Sequence, residues 1–320
     1  MRANRNSKNR KNRKCVVSGN APSLKEIDYS RLPLVYDVFR CNQFYFEDKY
    51  YLGKNIKAVT FATQMFFEQI YTMLHLKQKG EYNIESLFIP CLHRTPTNER
   101  DSEMELLAKI FDNNIFIHNY SSKYYKKIKA FLEFIKLQEI YFYKHPTSSI
   151  SLCGIATALG YKEIYLAGID FYEGKTYAFD SLKDNILTLM PEMKYEIAQE
   201  DLEKPKDKLT YHSKRADLEA LWFLSKHYDI KFYSLCPNSP MSNYFPLAPI
   251  TNNNFKPVEK PKESIKDILI PPEYARCNFN PEKPKENRRN RIKNNIYFRI
   301  FSDFLRLPSD ILYYFKTKKG

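Results

Sequence analysis

Glycine is scarce in this chain, at 8 of 320 residues, while tyrosine and phenylalanine reach 25 and 23. That balance excludes a fibrous or linker-rich protein. Tryptophan occurs once. The six cysteines, Cys15, Cys41, Cys91, Cys153, Cys236 and Cys277, form no C-x-x-C pair. A disulfide framework or cysteine-held metal is therefore not expected; reduced, buried thiols in a cytoplasmic protein are. No D-x-D occurs, which weighs against a metal-dependent nucleotide-sugar transferase. No G-x-x-x-x-G-K-[ST] occurs, which disfavours a P-loop ATPase. No metal site and no cofactor are expected. No apolar run approaches the length of a membrane-spanning helix. The basic N-terminus lacks the apolar core of a secretory signal.

What the chain does carry is positive charge, +14 net, with hydrophobic residues at 43%. Much of the charge sits at the ends. Arg2, Arg5, Lys8, Arg10, Lys11, Arg13 and Lys14 come without an acid between them, and Arg288, Arg289, Arg291 and Lys293 open a second basic stretch. Such ends favour an anionic partner, membrane or nucleic acid, with a solvated tail as the plain alternative for the first run. The basic residues form no nucleic-acid-binding motif, so no nucleic-acid partner is expected.

Short β-branched and aromatic runs alternate with helical patterns. Strands are predicted at 14–18, 36–39, 57–61, 86–91, 114–118, 163–167 and 231–235. Helices are predicted at 64–76, 104–110, 122–136, 149–159 and 216–227. This alternation predicts an α/β, Rossmann-like parallel sheet with helices on both faces. Residues 1–13 are expected to be a basic flexible N-terminus and 14–250 a nucleotide-sugar-binding catalytic domain. Within it, the charged stretch at about 172–212, with Pro191 and Pro205, is expected to be a small lid. Residues 251–291, rich in Pro, Lys, Glu and Asn, are expected to be a linker. Residues 292–320 interleave Ile, Tyr, Phe and Leu with Arg and Lys, which predicts a basic amphipathic membrane-association tail broken at Pro308. A helix docked on the protein's own surface is the alternative.

Candidate chemistry gathers where strands end. The first predicted strand runs into Ser18-Gly19-Asn20-Ala21-Pro22-Ser23. Backbone N–H groups at such a turn can face phosphate, Gly19 permits close approach, and Ser23 is placed to cap the next helix. An ordinary tight turn explains the same residues. Asn42 and Gln43 follow the second strand, and their amides can donate and accept as a pyrimidine or sugar requires. A strand-end cap is the alternative. Thr147 and Ser148 precede a helix, as caps or donor contacts. Gly168-Ile169-Asp170-Phe171-Tyr172 ends the strand at 163–167. Tyr172 and Tyr177 could hydrogen-bond a leaving phosphate. His212 follows the expected lid, and histidine is the residue type suited to deprotonating a sugar hydroxyl. His75 and His227 lie in helical patterns and are read as structural.

These residues in this order resemble the bacterial sialyltransferases of glycosyltransferase family 42, of the Campylobacter lipooligosaccharide type. The likeness is densest over 18–53, 149–180 and 228–238. Arg40–Gly53 makes it specific, and Lys266-Asp267-Ile268-Leu269-Ile270-Pro271 resembles the tail of that group. The resemblance implies CMP-sialic acid as donor, with no metal and inversion at the anomeric carbon. His212 matches the family's base, and Tyr172 and Tyr177 its phosphate-contacting tyrosines. Gly19, Asn20, Asn42, Gln43, Thr147, Ser148, Gly168 and Phe171 match donor contacts, with Ser23 and Asp170 grouped beside them. The acceptor implied is a galactose- or sialic-acid-terminated glycan of lipooligosaccharide. A homotetramer on the cytoplasmic face of the inner membrane is implied as well. A CMP-sialic acid hydrolase, or a transferase of a related nonulosonic acid, is the alternative activity.

The chain departs from that family pattern in places. Ala62 stands where an asparagine is common, and His145 or Lys144 where an arginine precedes the Thr-Ser pair. The Tyr172-to-Tyr177 spacing is one residue short. The tyrosine expected a turn before the base is absent at Leu209, and Tyr211 stands next to the base instead.

Overall fold

The computed structural model describes residues 13–62, 65–89, 115–118, 122–171, 177–180, 183–189, 212–271 and 296–317. It divides into two compact units, 1–271 and 272–320. Of the expected flexible N-terminus at 1–13 only Arg13 is described, and it is held by an ion pair with Asp37 at 3.0 Å. The predicted helix at 104–110, most of the expected lid and residues 272–291 of the expected linker lie outside the described residues, as do Tyr172, Tyr211, Cys91 and Cys277.

The first unit is built on strands β1 (Lys14–Ser18), β2 (Asp37–Cys41), β4 (Asn55–Thr60), β5 (Asn83–Phe88), β6 (Phe116–His118), β7 (Glu163–Ala167) and β8 (Lys231–Ser234). They form one sheet in the order β6-β5-β4-β2-β1-β7-β8, with every pairing parallel. A strand buried on both sides needs no polar alternation. In β1, Cys15 and Val17 enter the core on one face and Val16 that on the other.

Helices α2 (Lys123–Lys127), α3 (Lys129–Phe142), α4 (Ser148–Ala158) and α6 (Lys214–Tyr228) supply the first face, through residues such as Phe131, Leu152, Cys153 and Leu221. Helix α1 (Phe66–Gln78) lies with the second group, where Ile70 and Met73 pack with Val59 and Leu87. Gly154 lets α4 and α3 approach: a Cβ there would stand 2.4 Å from the Phe131 ring. The four described cysteines are buried and free, and burial pushes the Cys41 and Cys236 thiols up to about 12.

The chain leaves β1 toward β2, β4, β5 and β6 on one side, then returns to β7 and β8 on the other. The direction of winding therefore switches between β1 and β7. In open parallel sheets the crevice at that switch, beyond the carboxyl ends of the strands, is where ligands bind.

The expected linker at 251–291 requires correction over its first part. Residues 251–271 strap onto the first unit. The Thr251 hydroxyl donates to the Leu32 carbonyl, and Asn253 Nδ2 donates to Pro33 O at 2.8 Å. Strand β9 (Val258–Glu259) pairs antiparallel with β3 (Lys49–Tyr50). Ile268 is fully buried, and the Leu269 N–H donates to Thr72 Oγ1. Prolines and lysines conceal this anchoring, because its hydrogen bonds are made by backbone and small polar side chains. Part of the expected lid is anchored to the strap. Helix α5 (Asp184–Leu189) carries Asn185, whose N–H donates to Asp267 Oδ2 and whose amide donates to Ile268 O.

The second unit contains α7, Ile296–Thr317. The predicted break at Pro308 does not occur; the helix runs through it. Proline removes one ladder N–H, and beside it the Ser309 hydroxyl donates to Arg306 O at 2.8 Å. Phe301, Phe304, Leu305, Ile311 and Leu312 of α7 are exposed. Among the described residues no helix is long and apolar enough to cross a membrane.

Candidate active site

The switch point is built on two glycines. A Cβ on Gly19 would stand 2.3 Å from the Gly168 carbonyl oxygen. A Cβ on Gly168, at φ +61°, would stand 2.9 Å from that of Gly19. The backbones leaving β1 and β7 therefore cross at a separation only glycine permits. Gly19 N–H donates to Ala167 O and Ala21 N–H to Gly168 O, which fixes the crossing.

Asn20 joins three elements. Its Nδ2 donates to Cys41 O at the end of β2, and its carbonyl accepts from Ala178 N–H at 2.7 Å. Tyr177, exposed at the rim, is thereby brought beside the β1 exit. The Asn20 Oδ1 atom is buried with no partner in the protein, so the amide keeps an acceptor for a ligand or water. Asn42 takes a left-handed conformation, φ 52°, and its Oδ1 accepts from Ala62 N–H at 2.8 Å. Ala62, which stands where the resembled family commonly has an asparagine, thus meets this edge through its backbone N–H. Gln43 follows, half-buried, at the same edge.

Asp170 and Ser23 hold loops together. The Asp170 Oδ2 accepts from Ser23 N–H and its Oδ1 from the Ser239 hydroxyl, both at 2.9 Å. Ser23 does not cap a helix as expected. It lies inside the 3₁₀ turn Pro22–Glu26, whose cap position is Ala21. Phe171 is buried at φ 54°, a costly conformation for a bulky residue and of the kind that persists at functional sites. The Lys214 ammonium lies 5.8 Å from the Phe171 ring centre and 5.0 Å from that of Tyr244. This ties the start of α6 to the β7 exit.

His212 stands two residues before α6, whose cap Ser213 accepts from Ala216 N–H. His212 Nδ1 lies 2.8 Å from the His145 carbonyl oxygen. A carbonyl only accepts, so Nδ1 carries the proton, and in the neutral ring Nε2 then holds the lone pair. The two imidazole centres are 6.1 Å apart. Thr147 precedes α4, and its N–H and hydroxyl both reach Asp217. Ser148 is the first residue of α4. Burial pushes the Asp217 carboxyl up to about 7, against the two Thr147 hydrogen bonds.

The structure thus gathers Gly19, Asn20, Ser23, Asn42, Gln43, Gly168, Asp170 and Phe171 along adjacent strand exits. Tyr177 joins them through Ala178, and His212 through Lys214. Thr147 and Ser148 join through the His145 carbonyl. Sequence reasoning passed over Asp217 and Ser239, which read as ordinary helix and turn polar residues. An apolar helix face interrupted by one carboxylate is the only signal that could have marked Asp217. Among the described residues no group of three or more His, Cys, Asp or Glu is placed to hold a metal ion.

A parallel sheet with a glycine crossing at its switch point, amides along the rim and an oriented histidine is an arrangement suited to a nucleotide-using transferase of Rossmann-like fold. The chain belongs to the CST-I alpha-2,3-sialyltransferase family, whose model matches residues 13–318. It is similar to CstII from Campylobacter jejuni, solved with the substrate analogue CMP-3FNeuAc. The identity is 45%, the TM-score 0.69, and the match covers 82% of this chain and 97% of that one. A CstII structure in complex with trisaccharide acceptor and CMP matches at 44% identity and TM-score 0.68, covering 82% and 98% of the two chains. Monofunctional alpha-2,3-sialyltransferase Cst-I from Campylobacter jejuni matches at 38% identity and TM-score 0.68, covering 94% and 96%. The chain is accordingly a sialyltransferase, a glycosyltransferase by class.

Proposed function

We propose that this sialyltransferase moves sialic acid from CMP-sialic acid to a galactose- or sialic-acid-terminated glycan of lipooligosaccharide, with inversion and His212 as general base. The observation that carries the proposal is the 2.8 Å contact of His212 Nδ1 with the His145 carbonyl, which places the basic lone pair on Nε2. The acceptor hydroxyl oxygen forms a bond to the anomeric carbon as the bond from that carbon to the phosphate oxygen breaks. Nε2 takes the hydroxyl proton, and CMP leaves with the bonding electron pair. Tyr172 and Tyr177 would donate to the departing phosphate. The Gly19–Gly168 crossing, Asn20, Asn42, Gln43, Thr147, Ser148 and Phe171 would hold the donor. CMP and a trisaccharide acceptor in the CstII complex support this assignment. Incubation with CMP-sialic acid and lactose, then with sialyllactose, tests it by product analysis. Free sialic acid as the main product in both arms would make the protein a hydrolase.

The proposed mechanism needs no metal. The missing D-x-D supports that. Activity is expected to survive EDTA, with any stimulation by Mg²⁺ or Mn²⁺ remaining partial. Complete loss with EDTA, restored by either cation, would refute the tyrosine-assisted step.

The proposed location is cytoplasmic, peripheral on the inner membrane through α7. Its exposed apolar residues recur at helical spacing, and the sequence around it is basic, with Arg288, Arg289, Arg291 and Lys293 before it and Lys318 and Lys319 after it. Each basic side chain near an anionic surface adds about 1 kcal/mol. The homotetramer rests on the family resemblance alone. Truncation after Pro271 is expected to leave a folded enzyme active on soluble acceptors, with much weaker binding to anionic vesicles. Undiminished vesicle binding by the truncated protein would remove the tail from this role. The cut belongs at Pro271, because one at Asn254 would delete β9, Lys260 and Ile268 from the first unit.

A further inference from the structure

We infer that Asp217 is a positioning residue that keeps His212 in the tautomer a general base requires. The inference rests on the transferase mechanism proposed above. Asp217 lies in the first turn of α6 and is 1% exposed. Its Oδ1 accepts the Thr147 N–H at 2.7 Å and its Oδ2 the Thr147 hydroxyl at 3.1 Å. The same hydroxyl lies 3.0 Å from Ser149 Oγ. Both carboxyl oxygens are thus spent on one residue at the entrance of α4.

Two residues upstream of Thr147 is the His145 carbonyl, the acceptor for His212 Nδ1–H. The stretch 145–147 is therefore fastened to the start of α6 at both ends, by His212 at one and Asp217 at the other. Pro146 stiffens the span between them. Removing the Asp217 clamp frees Thr147 and lets the 145 carbonyl turn away. An imidazole that loses its Nδ1 acceptor returns to the Nε2–H form, which is intrinsically favoured and cannot accept a proton at Nε2.

The clamp requires shape more than charge. An amide in place of the carboxyl can accept the Thr147 N–H and donate to the Thr147 hydroxyl, which then donates to Ser149. Asp217→Asn is expected to preserve the geometry. Asp217→Ala removes both acceptors, and Asp217→Leu removes them while filling the same space.

The test labels the histidine rings of the full chain with ¹⁵N and reads the His212 tautomer without substrate, with His212→Gln giving the assignment. Wild type and Asp217→Asn are expected to show Nδ1–H. Whichever of Asp217→Ala and Asp217→Leu folds cooperatively is expected to shift to Nε2–H. Its kcat should fall by about 10–100-fold, the scale of a misplaced catalytic group, while Asp217→Asn stays near wild type. A folded Ala or Leu variant that keeps Nδ1–H overturns the inference. So does Nε2–H in wild type or in Asp217→Asn, even if neither the Ala nor the Leu variant folds. Because the tautomer is read without donor, an inactive wild type would sink the transferase mechanism and leave the ring measurement interpretable.

Discussion

Replacing His212 by Ala is expected to lower kcat by roughly 10²–10⁴-fold while leaving CMP binding nearly intact, the range for losing a positioned general base. The physical argument is local. His212 is partly buried, and its Nδ1 meets the His145 carbonyl. Its loss removes a proton acceptor and the hydrogen bond to the His145 carbonyl, while α6 keeps its Ser213 cap. Single-turnover kinetics with CMP-sialic acid and equilibrium CMP binding separate the two effects. A variant that binds CMP normally and turns over at a near-normal rate would reassign the base. A variant that loses CMP binding as well would place His212 on the donor. His212→Gln keeps a donor for the His145 carbonyl without a basic nitrogen, so it should be as slow as His212→Ala.

Much of this fold is legible in the sequence because the central strands are apolar on both faces and end at glycine turns. The predicted strands 14–18 and 163–167 match β1 and β7 to the residue. The second was expected to stop at Phe39, since Arg40 and Cys41 look like a strand end; β2 continues through both. Helix α6 begins two residues earlier than expected because Ser213 caps it. The helix expected at 122–136 is two helices meeting at Ile128, and the second extends to Phe142. Its last turns expose Leu137, Ile140, Tyr141 and Phe142, so no polar face marked the continuation. Strand exits, the Gly19 and Gly168 turns and His212 were readable as residues of the right chemistry at element boundaries. The Thr147–Asp217 clamp and the 251–271 strap were not. Each is a pairing between distant segments, and periodicity reports only on neighbours.

The long specific run at Arg40–Gly53 has its physical explanation in a buried ion pair, and Arg40→Met is expected to cost about 3–5 kcal/mol of stability. Arg40 Nη1 donates to Glu47 Oε2 at 2.8 Å, with the two side chains 1% and 0% exposed. Tyr82 donates its hydroxyl to the other carboxylate oxygen at 2.9 Å. Phe44, Tyr45, Tyr50 and Tyr82 pack edge-on nearby. Lys260, from the strap, lies over the Tyr50 and Tyr82 rings and donates to Tyr45 O. Asn42 and Gln43 sit inside the loop this pair closes, so the pair fixes the rim of the donor site from below.

Burial already raises the Glu47 carboxyl against the lowering effect of Arg40. Without Arg40 that rise is larger, and the buried group resists ionisation. A carboxyl whose folded pKa is raised stabilises the fold at low pH and loses that contribution as pH climbs from the unfolded value toward the folded one. The urea midpoint of Arg40→Met should therefore fall more steeply than that of wild type as pH rises above the ordinary carboxylate range. Arg40→Met combined with Glu47→Gln removes the uncompensated charge and keeps an acceptor for Tyr82. The double variant should recover part of the lost stability and the wild-type pH slope. Equal costs for the single and double variants, with parallel pH profiles, would mean that packing rather than charge compensation is what the run encodes.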